Sequence, residues 1–216
     1  MFRQLQSLKR IILNRGAYLI SYFRLQKILR KVGPGSLVLD CGANVGEISA
    51  LFLSRGAEVI AFEPDPVAIE ALRRRIGDHP RLTLHQQAVS DHSGRASFFF
   101  HKDRSGASDG AEFTVSSTLV AEKRNVDTHH SIEVELLDLD AFISALDRKV
   151  DILKMDVEGA EISILWKMLE SGSYRNIGLM LVETHETKIP GHQEEVARLQ
   201  DRIDQLGIEH IRLNWI

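Results

Sequence analysis

The sequence is poor in cysteine and lacks any long run of apolar residues. Cys41 is the single cysteine among 216 residues, so no disulfide can form within the chain, as is usual in a reducing compartment. No apolar stretch reaches the roughly 18 residues that a transmembrane helix needs. The apolar residues near the N-terminus are interrupted by Asn14 and Arg15, which argues against a secretory signal peptide. We therefore expect a cytoplasmic protein.

Acidic residues are absent from the first 35 positions, which contain eight basic residues. Because the net charge of the whole chain is −3, the remainder is acidic and a poor match for nucleic-acid phosphates. We expect no nucleic-acid partner. Apolar residues recur every three or four positions over 1–31, which is the period of a helix, and Gly33-Pro34-Gly35 ends the pattern. The chain is thus divided into a basic amphipathic helical extension, 1–33, and a main domain, 34–216.

Three interpretations of the basic extension are open. It can pack on the main domain as an ordinary helix. It can lie peripherally on an anionic membrane surface, at the inner face of the cell membrane, through residues 1–31. It can also bind a partner, including a second copy of the chain.

Strand and helix patterns alternate from residue 36 onward. Short apolar runs predict strands at 36–41, 58–63, 82–88, 150–156, 177–183 and 208–215. Helical periods predict helices at 45–54, 66–76, 138–146, 160–170 and 193–206. This alternation is typical of a Rossmann-like α/β fold, with a mostly parallel sheet and helices on both faces. In such a sheet the ligand lies beyond the carboxyl ends of the strands.

A long polar segment interrupts this alternation. Strands are predicted at 95–100 and 131–136, and residues 101–130 between them are polar and without periodicity. A loop of this length inside a compact domain is usually functional or disordered. We expect it to be the most mobile part of the domain without substrate, close to the acceptor site, with Ser116 and Ser117 as candidate contacts.

The segment DCGANVG, between the first strand and the first helix of the domain, has the residues of a cofactor loop. Gly42 and Gly46 permit a tight turn and a close helix approach, and Asn44 tolerates left-handed backbone. Asp40 suits the cationic groups of S-adenosylmethionine (SAM), whereas a dinucleotide pyrophosphate favours G-x-G-x-x-G. Glu63, ending the second strand, can accept both ribose hydroxyls. A SAM-binding enzyme is predicted, with an NAD(P)-binding oxidoreductase and a non-catalytic nucleotide-binding protein as alternatives.

Ionisable side chains follow two later strands. Asp156 ends one strand, and Glu183 and His185 end the next, two positions apart and therefore pointing the same way. We expect these three to share a pocket and remove a hydroxyl proton, either with His185 as a base of near-neutral pKa or as ligands of Mg²⁺ or Mn²⁺. Lys154, in an apolar strand, needs a carboxylate partner, as a catalytic group beside Asp156 or as a structural ion pair. Glu161 either joins this site or satisfies the first turn of a helix.

Several segments resemble FkbM-type methyltransferases. In chain order they are DCGANVGEIS, VIAFEPDP, QQAVSDHSG, SSTL, VELLDLDAF, ILKMDVEGAE and LMLVETH. The resemblance covers roughly residues 36–190, and its most specific piece is KMDVEGAE, from Lys154 to Glu161. It implies a class I SAM-dependent methyltransferase acting on a hydroxyl oxygen, often of a sugar or polyketide. We therefore predict an O-methyltransferase for a hydroxylated small molecule, glycan or glycolipid, with Pro64, Ser90 and Asp91 also contacting the cofactor.

The sequence departs from the family in two places. Cys41 stands where the family usually has an aliphatic residue, which is a mild change. One strand is predicted after the last helix, where class I enzymes commonly have a hairpin of two. We expect the strand at 208–215 to lie at or near a sheet edge without an antiparallel partner from its own chain. An edge of this kind invites pairing with another subunit, so a homodimer is one expectation.

Overall fold

The computed structural model describes residues 24–101, 117–120 and 126–213. Within them the strands are β1 (Leu37–Cys41), β2 (Glu58–Phe62), β3 (Leu82–His85), β4 (Ala88–Ser90), β5 (Gly94–His101), β6 (Val126–Asp138), β7 (Val150–Met155), β8 (Ile177–Val182) and β9 (Ile211–Leu213). The main sheet has the order β3-β2-β1-β7-β8-β9, and every neighbouring pair is parallel. The strand order reverses between β1 and β7, so their carboxyl ends lie side by side at the place where α/β sheets bind ligands.

Helices cover both faces of the main sheet. They are α1 (24–29), α2 (Glu47–Ser54), α3 (Pro66–Ile76), α4 (Leu139–Ser144), α5 (Glu161–Ser171) and α6 (His192–Gln205). Along β1 the side chains alternate between two cores, because successive residues of a strand point to opposite faces. Val38 packs in the core that contains residues of α1, α2 and α3, and Leu39 in the core that contains residues of α4, α5 and α6. The predicted Rossmann-like α/β fold is confirmed.

A second, three-stranded sheet stands beside the main one. Its order is β4-β6-β5, with β4 parallel and β5 antiparallel to β6. The prediction of one strand over 82–88 is wrong, since β3 belongs to the main sheet and β4 to the small one. An apolar pattern does not show where a chain leaves one sheet for another. The strands predicted at 95–100 and 131–136 are confirmed as the longer β5 and β6.

The described part of the N-terminal extension packs on the main sheet. Ile28, Leu29 and Val32 are buried in the core that contains Phe52 of α2 and Val59 of β2. The domain boundary at residue 33, membrane contact and a cytoplasmic location stay predictions. Among the described residues, no helix combines the length and the apolar character that crossing a bilayer would require.

The last described strand forms one edge of the main sheet. β9 is paired in parallel with β8, and no described residue pairs with it in the antiparallel sense. The edge prediction is thus confirmed for Ile211–Leu213, while the predicted end at residue 215 lies outside the described residues. Most of the polar segment 101–130, including Ser116, also lies outside them, so its predicted mobility stays a prediction.

Candidate active site

The loop between β1 and α2 depends on its glycines. Gly42 has φ of 76°, and a Cβ placed on it would lie 1.9 Å from the backbone oxygen of Asp156. Gly46, at the start of α2, has φ of 80°, and its Cβ would lie 2.7 Å from the side chain of Leu72. Asn44 also adopts left-handed backbone, with φ of 48°. The loop is therefore folded tightly against β7 and α3, as a cofactor loop requires.

Glu63 follows β2 and faces this loop. Its two carboxylate oxygens accept hydrogen bonds from the backbone N–H groups of Asn44 and Asp65, at 2.8 and 2.9 Å. Burial raises the pKa of Glu63 to about 7, although both backbone bonds act to lower it. Each oxygen accepts one backbone bond and has lone-pair capacity for a second, so a ligand hydroxyl can still bond to either of them.

Asp40 and Lys154 form a buried ion pair between β1 and β7. The Lys154 ammonium lies 3.4 Å from Asp40 Oδ1 and 3.7 Å from Asp156 Oδ2, and it donates a hydrogen bond of 2.7 Å to the backbone oxygen of Gly42. Burial opposes the charge, but the two carboxylates raise the pKa of Lys154 well above its usual range. Asp40 also accepts a hydrogen bond from Ser49 Oγ at 2.6 Å. The carboxylate partners predicted for Lys154 are present, and they tie the cofactor loop to the end of β7.

A cleft opens where the two sheets meet. Its lining comes from the cofactor loop, the ends of β2 and β7, the small sheet and the segment 117–120: Gly42, Asn44, Phe62, Glu63, Pro64, Gln87, Ala88, Val89, Phe98, Ser117, Leu119, Asp156, Val157 and Glu158. The predicted cofactor residues Gly42, Asn44, Glu63 and Pro64 are therefore gathered with Asp156 around one cleft. Asp40 and Lys154 lie beneath it, since neither is among the described residues that line it.

Ser90 and Asp91, at the end of β4, are not among the described residues that line the cleft. Ser90 donates a hydrogen bond to Asp91 Oδ1 at 3.1 Å, and the same carboxylate oxygen lies 2.7 Å from His92 Nδ1. The backbone oxygen of Asp91 accepts a bond from Lys167. Val89 lines the cleft directly. Both residues thus stabilise the turn after β4, and their contact with a cofactor stays a prediction.

His185 stands at the centre of a group of carboxylates. Its Nδ1 lies 3.1 Å from Glu161 Oε1. Its Nε2 lies 2.9 Å from Glu158 Oε2, 3.6 Å from Asp156 Oδ1 and 3.7 Å from Glu183 Oε1. The His185 side chain is 1% exposed. Asp156, Glu183 and His185, which were expected to share a pocket, lie in one acidic group together with Glu158 and Glu161. Of the three, only Asp156 is among the described residues that line the cleft.

The carboxylates determine the charge of His185. Burial alone would lower the pKa of His185, but the contacts with Glu158 and Glu161 overcome this effect and raise that pKa to about 10. An imidazole that keeps its proton at neutral pH is a donor, which disfavours the interpretation of His185 as a near-neutral base. Burial also raises the pKa values of Asp156 and Glu183.

Glu161 holds the turn between β7 and α5. Its oxygens accept the backbone N–H groups of Val157 and Gly159, at 3.0 and 2.8 Å, besides the contact with His185. The turn passes through Glu158, which has φ of 62°. Both interpretations of Glu161 therefore hold together: it satisfies backbone N–H groups at the start of a helix and belongs to the acidic group.

Sequence reasoning did not find the apolar wall of the cleft. Phe98 of β5 and Leu119 supply it, because the small sheet brings β5 and the segment 117–120 to the cleft. Thr118 is fully buried and donates a hydrogen bond to the backbone oxygen of Glu158. The nearest signal in the sequence is SSTL, residues 116–119, which contains the candidate acceptor contacts Ser116 and Ser117. The sequence alone does not show that this segment lies against the cleft.

The parallel sheet, the glycine loop with an acid after β2 and the acidic group beyond β7 and β8 together define the architecture of a class I methyltransferase. Residues 40–209 match the family described as the methyltransferase FkbM domain. The chain belongs to this family. The family assignment leaves the oxidoreductase alternative without support.

Known relatives and solved structures resemble the chain over most of the domain. The 2-O-methyltransferase NoeI of Sinorhizobium fredii is 30% identical over 141 residues, which are 61% of this chain and 57% of NoeI. Methyltransferase 1 of Beauveria bassiana is 26% identical over 175 residues, which are 71% of this chain and 66% of that protein. The TehB-like SAM-dependent methyltransferase of Corynebacterium glutamicum superposes with a TM-score of 0.40 at 12% identity, covering 82% of this chain and 71% of that one. The chain therefore spans a little over half the length of NoeI.

Proposed function

We propose that the chain transfers the methyl group of SAM to a hydroxyl oxygen of a sugar, polyketide or glycolipid-type acceptor. Membership of the FkbM family supports methyl transfer. The name of one relative, the 2-O-methyltransferase NoeI, supports oxygen as the atom that receives the methyl group. The observation that carries the proposal is a single cleft lined by the cofactor loop, by Glu63 and by the acidic turn after β7.

SAM occupies, in this proposal, the part of the cleft formed by Gly42, Asn44 and Glu63. The backbone bonds of Glu63 fix its carboxylate in place, so it can accept the two ribose hydroxyls without reorganising. Pro64 adds apolar surface beside it. Asp40 acts indirectly. It forms a buried ion pair with Lys154, which donates a hydrogen bond to the backbone oxygen of Gly42 in the loop that contacts the cofactor.

The reaction takes place where Asp156 reaches the cleft. A bond forms between the hydroxyl oxygen and the methyl carbon while the carbon–sulfur bond of SAM breaks, and the hydroxyl proton must leave. Of the predicted trio, Asp156 lines the cleft, and Glu183 and His185 support it from behind within one acidic group. We assign removal of the proton to this group, with Lys154 fixing the Asp156 carboxylate.

The acceptor lies against the small sheet. Phe98 and Leu119 offer an apolar surface to the face of a ring, and Ser117 offers a hydroxyl. Ser117 is 5% exposed, and its Oγ has no hydrogen-bond partner among the described residues. A buried hydroxyl of this kind has capacity to bond to a ligand hydroxyl. An acceptor with both a ring face and hydroxyl groups, such as a sugar, fits this wall.

Purified protein tests the proposal with methyl-labelled SAM and a panel of monosaccharides, oligosaccharides and lipid-linked glycans, beside acceptors that carry only amines. We expect labelled product and S-adenosylhomocysteine with a hydroxylated acceptor only. Asp156→Asn should lower kcat by roughly 10²-fold or more, the range for a lost acid–base group. The control Asp147→Asn, an exposed acid before β7, should be unaffected. Absence of SAM binding, or transfer to amines alone, would contradict the proposal.

A further inference from the structure

One ring nitrogen of His185 has no hydrogen bond although it is buried. No described residue makes an aligned hydrogen bond with Nε2, even though Glu158 Oε2 lies 2.9 Å away, and the side chain is 1% exposed. Buried polar atoms nearly always have a partner, and an exception calls for a ligand or an ion. Without an ion, the surrounding carboxylates keep a proton on the imidazole. A metal ligand must be deprotonated, so a cation that binds at Nε2 would take the place of that proton.

Three carboxylate oxygens surround this nitrogen. They belong to Glu158, Asp156 and Glu183, at 2.9, 3.6 and 3.7 Å from Nε2. Ligand atoms around an octahedral ion with bonds of about 2.1 Å lie about 3 Å from their neighbours. The Glu158 oxygen already lies at this distance, and the Asp156 and Glu183 oxygens would each have to move by roughly 0.6–0.7 Å to reach it. Ligand atoms of Asp156, Glu161 and His185 also all lie within 4.8 Å of one another.

Glu161 holds the imidazole in the orientation that a metal ligand needs. Its Oε1 faces Nδ1 of His185 at 3.1 Å, and both its oxygens are fixed by the backbone N–H groups of Val157 and Gly159. A metal-binding histidine almost always donates its other N–H to a carboxylate or carbonyl. Glu161 therefore supports the ligand, and Nε2 is left as the coordinating atom.

The charges around the site leave room for a cation. Besides the three carboxylates near Nε2 there is the carboxylate of Glu161. The positive charges nearby are the His185 imidazolium itself, Lys188, 3.7 Å from Glu158, and Lys154, which is shared with Asp40. Gathering four carboxylates in a mostly buried place is costly unless cations compensate them.

We propose that His185, Asp156, Glu158 and Glu183 bind one divalent cation of the Mg²⁺ or Mn²⁺ class. Carboxylate oxygens with one imidazole suit these ions. Its catalytic use rests on the proposed function: the cation would lower the pKa of the acceptor hydroxyl, whose proton would pass to a carboxylate of the same acidic group. The oxygen then attacks the methyl carbon, and the carbon–sulfur bond of SAM breaks. Cation binding itself does not depend on that function.

Electron paramagnetic resonance of Mn²⁺ tests the site directly. Metal-stripped full-length protein is titrated with Mn²⁺ near neutral pH, and the free-ion signal gives stoichiometry and Kd. We expect one site per chain, with Kd raised at least tenfold by Glu183→Gln and His185→Gln. Glu170→Gln, an exposed acid at the end of α5, should match the parent. No binding of Mn²⁺ at millimolar concentration, or equal Kd in all variants, would overturn the proposal.

Two further measurements separate this proposal from the proposed function. Thermal unfolding monitors whether each variant folds, and Glu183→Gln, with a side chain 31% exposed, remains informative if His185→Gln fails to fold. Calorimetry with SAM reports the cofactor site independently. SAM binding and methyl transfer without Mn²⁺ binding would refute the cation site alone. Mn²⁺ binding without SAM binding would refute the methyltransferase mechanism and leave the cation site standing.

Discussion

If Glu63 binds SAM as proposed, SAM binding should depend on pH. Burial raises its pKa from 4.5 to about 7, so in the free protein much of this carboxylate is protonated below neutrality. Ribose hydroxyls that donate to the carboxylate favour its charged form, and SAM binding should therefore release a proton. If the charged form is required, SAM affinity falls about tenfold for each pH unit below 7, or about 1.4 kcal/mol. Between pH 7 and pH 5 the expected loss is up to roughly 50-fold.

Calorimetric titration with SAM at pH 5, 6 and 7 measures this loss, in a range where the α-amino group of SAM stays protonated. Titrations in buffers of different ionisation enthalpy give the number of protons released. Glu63→Gln should bind SAM weakly and show no dependence on pH. Glu58→Gln, an exposed glutamate at the start of β2, should behave as the parent does. A Kd constant within twofold from pH 5 to pH 7 would refute the reasoning.

Glu63 also makes the stability of the ligand-free protein depend on pH, with a sign opposite to that of SAM binding. Its folded pKa lies above the unfolded value of 4.5. Its contribution to the free energy of unfolding is therefore complete below pH 4.5 and is lost as pH rises through 7. Urea unfolding of the parent and of Glu63→Gln should differ in pH dependence with this sign.

Three further changes test other parts of the site. Gly42→Ala should lower the free energy of unfolding by at least about 2 kcal/mol, because residue 42 has a positive φ and the new Cβ would lie 1.9 Å from a backbone oxygen. The control Gly33→Ala, whose Cβ would meet nothing within 4 Å, should cost less than about 1 kcal/mol in the same urea titration. Lys154→Met should destabilise the fold by about 3–5 kcal/mol, since it leaves two carboxylates without their cation; a melting temperature equal to that of the more exposed control Lys167→Met would contradict this. His185→Ala should lower kcat at least about tenfold with SAM affinity retained, because it removes a member of the acidic group beside Asp156. Turnover at the parental rate would show that His185 has no part in the chemistry.

The sequence predicted the main sheet because its strands are short apolar runs with glycine or acidic residues at their ends. Gly42, Glu63 and Asp156 were placed correctly around one cleft, since the carboxyl ends of parallel strands share one edge. The small sheet was not predicted as a unit. Its strands β5 and β6 pair across a long insertion, and periodicity carries no information about which distant strands pair.

The protonation state of His185 could not be predicted from its neighbours in sequence. Its pKa depends on Glu158 and Glu161, which lie more than twenty positions away and reach it only because the turn after β7 passes through left-handed backbone at Glu158. From the sequence alone, a histidine at the end of a strand is expected to have an ordinary pKa. The folded arrangement replaces that expectation with a histidine enclosed by four acids.

The close packing of Gly42 against the backbone of Asp156 has a consequence for how acceptor preference can change in evolution. The loop proposed to bind the methyl donor packs directly against the turn proposed to carry the reacting group, so a substitution in either is expected to displace the other. The proposed acceptor wall belongs instead to the small sheet, which has its own apolar cluster around Phe98 and Leu136. Substitutions there can reshape what enters the cleft while the distance between donor and reacting group is conserved. New acceptors should therefore arise through changes in β5, β6 and the segment 117–120.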